Sequence, residues 1–170
     1  MDHFARLGLP AALDLEPASL DKAYFALQRQ WHPDRFVARP AEERAKASAE
    51  AAALNDAYRT LKYPLSRAIY LAQLKGVELP GDGKTIDDPE LLMEVMDARE
   101  ELHEATSVAE VDSLARFARE DLQKALAELP RLFLANDKPA IRKALLRLRY
   151  LDKFAEEARA RRANIERGKV

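Results

Sequence analysis

Two side chains capable of acid–base chemistry, His32 and Asp34, stand two residues apart with Pro33 between them. A histidine beside a carboxylate is the pair a general base needs. Catalysis would further require a nucleophile or a metal. The chain has no cysteine, no G-x-S-x-G turn, no phosphate-cradling glycine loop and no helix with paired histidines. His3, His32 and His103 fall on separate elements, so a histidine-based metal site would need coincidental convergence. The reading is therefore that this chain is not an enzyme, with no catalytic and no metal-binding residue, and that His32 and Asp34 serve a contact.

What must position that contact is a helical hairpin. Leu20, Tyr24, Leu27 and Trp31 recur at the spacing of one buried stripe, while Lys22 and Arg29, seven apart, share the other side. Pro33 cannot continue such a helix, because it lacks the N–H that would bond four residues back. It also pushes His32 toward extended geometry, so the helix ends there and the tripeptide sits on a stiff loop. A second helix opens near Pro40 with Glu42 and Glu43 in its first turn, and turns Ala47, Ala51, Leu54, Tyr58 and Leu61 toward the first.

With Leu20 through Tyr24 opening the helix and Tyr58 through Leu61 closing the next, the first 75 or so residues resemble the J-domain of DnaJ-type co-chaperones. That resemblance implies that His32, Pro33 and Asp34, with Lys22 and Arg29 beside them, engage a DnaK-like ATPase chaperone and trigger its nucleotide hydrolysis. Phe25, Ala26 and Gln30 stand where J-domains commonly carry basic residues. A dedicated chaperone partner fits this departure better than a general one.

Composition bounds the remainder. At 170 residues with 48% hydrophobic content, the chain can bury a core in one large or two small domains. Lys and Arg total 28 against 29 for Asp and Glu, so no basic field exists to hold nucleic acid or an anionic membrane. No apolar run approaches the roughly 18 to 20 residues of a bilayer span, and Met1-Asp2-His3-Phe4 lacks a secretory pattern. A cytoplasmic protein is expected. Three of the five glycines, with Pro80, cluster in residues 75 to 84 and divide the chain. The expected organisation is all-α: a J-domain over residues 1–75, a linker over 76–88 and a three-helix bundle over 89–170.

In the bundle, the helix starting after Asp88 and Pro89 puts Leu91, Val95, Ala98, Leu102 and Ala105 on one stripe. The second segment does so with Val111, Leu114, Ala118, Leu122, Ala125, Leu129 and Leu132. The third, capped by Asp137 before Pro139, uses Ile141, Leu145, Leu148, Leu151 and Ala155. Apolar residues are left over: Leu92 and Met96 lie off the first stripe, followed at helical spacing by Arg99, Glu100 and His103, and Tyr150 and Phe154 lie off the third. Spacing alone admits two readings, a widened core stripe or an exposed patch.

Phrases in both halves resemble one J-protein branch, the HscB-type co-chaperones of iron–sulfur cluster assembly. These are Leu27 through Phe36 and Leu61 through Leu71 in the first half, and Leu91 through Glu94, Arg99 through Leu102 and Leu148 through Lys153 in the second. The resemblance implies that the bundle binds an IscU-type scaffold, that the J-domain presents the complex to an HscA-type chaperone, and that ATP hydrolysis promotes cluster transfer. It puts scaffold contacts on Leu92, Met96, Arg99, Glu100 and Tyr150, with Met96 and Tyr150 replacing the leucine and phenylalanine of relatives; Phe154 joins them on spacing. Nucleotide, metal and cluster belong to the partners, so no cofactor is expected here. Some eukaryotic relatives carry a cysteine-rich segment before the J-domain, and its lack here suggests the bacterial type. A J-protein for other clients remains a rival. A nucleic-acid-binding helix is a second, suggested by Arg142, Lys143, Arg147 and Arg149, although Glu156 and Glu157 follow closely.

Overall fold

A computed structural model of the chain describes residues 1–81 and 87–168. The described residues form seven α-helices and one short 3-10 turn, with no strand. The all-α architecture expected from the periodicity is what the chain adopts, a helical hairpin followed by a three-helix bundle. It divides into two compact units, Met1–Leu74 and Lys75–Val170.

The first unit is built on the hairpin of α2 (Pro17–Trp31) and α3 (Ala41–Lys62). Ala47, Ala51, Leu54, Ala57 and Leu61 bury one face of α3, and small alanines let the helices approach closely. The stripe on α2 is graded: Leu20 is fully buried, whereas Tyr24, Leu27 and Trp31 are partly exposed. Tyr24 stacks on Tyr58 with centroids 4.1 Å apart, and both phenols keep polar partners. Tyr24 donates to Asn55 Oδ1 at 2.8 Å and Tyr58 to Asp21 Oδ1 at 2.7 Å. A tyrosine whose hydroxyl must be satisfied sits at the rim of a core, which explains why neither ring is fully buried.

Two further helices complete this unit. In α1 (His3–Leu7), Asp2 caps by accepting from the Ala5 N–H, Gly8 ends it at φ +65°, and Phe4 and Leu7 plug the core. Five residues are too few for periodicity to reveal. α4 (Pro64–Leu74) is tied to α3 by Arg67, buried, whose Nη1 donates to the Leu61 carbonyl at 3.0 Å. Burial lowers the pKa of this guanidinium from its ordinary value.

The second unit contains α5 (Pro89–Glu104), α6 (Val108–Ala135) and α7 (Lys138–Glu166). Asp88 caps α5 and Asp137 caps α7, each accepting from an N–H three residues on, with a proline in the first turn. Asn136 turns the chain at φ 51°, folding α7 back along α6. Part of the expected linker, residues 82–86, lies outside the described residues. The stretch before it is packed: Val77 is buried, Leu79 lies against Leu91, Val95 and Leu146, and Arg142 Nε donates to the Glu78 carbonyl at 3.2 Å.

The α5–α7 contact has an electrostatic register. Arg142 pairs with Asp87, Lys143 with Asp88 and Glu90, and Arg147 with Glu94 and Asp121. Further along, the signs invert, and Arg99 of α5 meets Glu157 of α7. Of the four α7 cations that suggested a nucleic-acid face, Arg142, Lys143 and Arg147 are thus matched by carboxylates, which leaves little field to hold phosphates.

Candidate partner-binding sites

At the tip of the first unit, α2 ends where Pro33 interrupts it. His32 takes extended geometry (φ −60°, ψ 128°) and Pro33–Phe36 forms a single 3-10 turn. Arg35 reaches back to donate from Nη1 to the Arg29 carbonyl at 2.9 Å, satisfying an orphan acceptor of the helix end. Trp31 and Phe36 stack with planes 5° apart, closing the turn on the helix.

Held this way, the tripeptide faces solvent. The His32 side chain is 54% exposed and that of Asp34 87%. The Asp34 N–H donates to His32 Nδ1 at 3.3 Å, while its carboxylate stands 3.6 Å from the same nitrogen. Asp34 has no other cationic partner among the described residues, so its charge is available to a visitor. Phe25, Gln28, Arg29 and His32 line one groove beside the loop. Lys22, exposed, lies two turns up α2 from Arg29, roughly 10 Å along the axis.

The second unit brings several predicted residues together and separates one. On α5, Leu91, Val95 and Leu102 enter the core, while Leu92 is half-buried and Met96 is 61% exposed. Met93, not singled out by spacing, is 66% exposed. It lies on the face of α5 that carries Met96, so the apolar strip is longer than the stripe count indicated. Glu100 continues that face and is exposed, as are Asp97 and Glu104.

Tyr150 of α7 is half-buried and packs on both hydrophobic clusters of the unit, one around Leu91, Val95 and Leu146 and the other around Leu102 and Leu151. Burial pushes its phenol up to about 12, with Arg99 and Glu157 among the charges acting on it. Arg99 is brought beside Tyr150, but its guanidinium is bidentate on Glu157.

Phe154 does not belong to an exposed patch. It is 2% exposed and sits in the core with Leu102, Val111 and Ala158. The seam runs Leu151, Phe154, Ala158, and Ala155 lies at its edge. Burying a phenyl ring removes far more apolar area from water than burying a methyl group, so the helix rotates its phenylalanine inward.

An exposed histidine–proline–aspartate loop on a helical hairpin, joined to a three-helix bundle, defines the J-domain co-chaperones that carry a helical C-terminal domain. Within that class the comparisons are specific. Residues 87–159 match the family model described as the HSCB C-terminal oligomerisation domain. The chain is 39% identical to the co-chaperone protein HscB homolog of Cupriavidus taiwanensis, over 92% of this chain and 90% of that one. It is 36% identical to that of Burkholderia multivorans, over 96% and 95%. Chaperone HscB from Vibrio cholerae superposes over 100% of both chains with a TM-score of 0.82 at 31% identity. Human co-chaperone protein HscB gives 0.87 at 29% identity, over 94% of this chain and 81% of that one. The chain belongs to the HscB family of co-chaperones.

Proposed function

We propose that this protein binds an IscU-type iron–sulfur scaffold with its second unit and delivers it to an HscA-type, DnaK-like chaperone. The loop of His32, Pro33 and Asp34, with Lys22 and Arg29 on the same helix, engages that chaperone in the cytoplasm and stimulates its ATPase, promoting cluster transfer. The observation that carries this reading is the strip of Leu92, Met93 and Met96, left outside a bundle core that is already filled by Leu91, Val95 and Leu102. Tyr150, half-buried on α7, and the carboxylates of Asp97, Glu100 and Glu104 complete the face. A partner that fits it offers an apolar pocket rimmed by basic side chains.

Calorimetric titration against a purified IscU-type scaffold tests this. Met93 and Met96 are exposed, so their joint replacement by alanine opens no cavity. It is expected to weaken binding by about 1 to 2 kcal/mol per residue with an unchanged melting temperature. Parental affinity in the folded double variant would move the scaffold site off this face.

A further inference from the structure

Arg99 shares the outer side of α5 with Leu92 and Met96, yet it is already engaged. Its Nε and Nη2 donate at 3.0 and 2.8 Å to the two carboxylate oxygens of Glu157 on α7. Such a fork-on-fork pairing fixes both distance and plane, which a single point contact cannot do. The pair is partly shielded, with side-chain exposures of 43% and 32%, and the hydrogen bonds that Glu157 accepts raise the pKa of Arg99.

The position of this bridge matters. One turn further along α7, Arg161 donates from Nη2 to the carbonyls of His103 and Ala105 at 2.8 and 2.9 Å. Lys143 and Arg147 hold Glu90 and Glu94 at the other end of α5. Between these ties lies the stretch that must keep Met96 and Tyr150 on one surface, and Arg99–Glu157 is its cross-link, with Tyr150 within electrostatic reach of both charges.

We infer that Glu157 is a positioning residue for scaffold binding: it clamps α5 to α7 through Arg99, and Arg99 acts by placing the strip of Met96 and Tyr150, not as a direct contact. This rests on the scaffold-binding reading above. The two roles of Arg99 separate in a double-mutant cycle measured as scaffold affinity at 25 °C, with a thermal melt of each variant.

For a clamp, Arg99→Ala, Glu157→Ala and the double alanine variant all weaken binding by the same factor, roughly three- to ten-fold. The exchanged pair, Arg99→Glu with Glu157→Arg, rebuilds the bridge and returns affinity to within about two-fold of the parent. If Arg99 touches the scaffold directly, Glu157→Ala leaves affinity unchanged or tighter and the exchanged pair stays as weak as Arg99→Ala, which overturns the inference. Lower melting temperatures with unaltered affinity, the signature of a merely structural bridge, overturn it as well. Should the parent fail to bind the scaffold, the scaffold reading falls and the inference with it. A binding parent with indifferent Glu157 variants sinks the inference alone.

Discussion

One turn apart on α7 and 5.9 Å between ring centroids, Tyr150 and Phe154 occupy different environments. Phe154 is core, so Phe154→Ala is expected to cost about 3 to 5 kcal/mol of stability, read from denaturant unfolding. Tyr150 gives a spectroscopic handle on its half-burial. Its phenol ionises near 12 in the folded protein against 10.0 for the ordinary group. Over that window the unfolded chain has released a proton that the folded one retains, so stability falls as pH rises from the ordinary value through the folded one. Absorbance at alkaline pH should show one late-titrating tyrosine that Tyr150→Phe removes, together with that share of the alkaline destabilisation. A titration finished near 10 would mean that the ring is not buried. Residue-level placement is where spacing was weakest: α7 is apolar on neighbouring stripes, and a count of 3.6 cannot decide whether Phe154 or Ala155 is turned inward. Met93 stands 100° around α5 from Leu92, but its spacing of three residues from Met96 is the signal that could have found it.

Helix starts are set by short polar signals, and these were legible where a periodic run followed. Asp88 with Pro89 and Asp137 with Pro139 cap α5 and α7 as the sequence suggested. α6 carries a full capping box: Ser107 accepts from the Glu110 N–H, and Glu110 accepts from the N–H groups of Ser107 and Thr106. Ser107→Ala is expected to cost about 1 kcal/mol. The backbone donors of Thr106 and Ser107 hold the Glu110 carboxyl below the usual carboxylate range. Its stabilising effect is therefore present above that range and lost as pH falls through the depressed folded value. Glu110→Gln should blunt the acid sensitivity of the second unit, followed by circular dichroism between neutral and acidic pH. Equal acid unfolding of parent and variant would show that the box is not formed. α1 escaped detection for the opposite reason, since a helix of five residues depends on docking Phe4 and Leu7 and not on its own pattern.

At the scale of the whole molecule, the helical periodicity of the apolar residues and the glycine-rich division were enough to expect two helical units. Leu79 packs against Leu91, Val95 and Leu146, and the Glu78 carbonyl accepts from Arg142. A fragment of residues 75–170 should accordingly melt higher than one of residues 84–170, and equal melting points would contradict the role of Leu79. The proposed function requires both units. The bundle alone is expected to bind the scaffold without stimulating the chaperone, and residues 1–74 to stimulate only weakly and without scaffold synergy. The most direct test of that coupling is the steady-state ATPase rate of an HscA-type chaperone with an IscU-type scaffold, comparing the parent with His32→Gln. His32 is exposed at the tip of the hairpin and supports no core contact, so the variant should fold and bind the scaffold as the parent does. Stimulation lost at unchanged scaffold affinity is the expected result; a folded His32→Gln protein that stimulates hydrolysis as strongly as the parent would contradict the assignment.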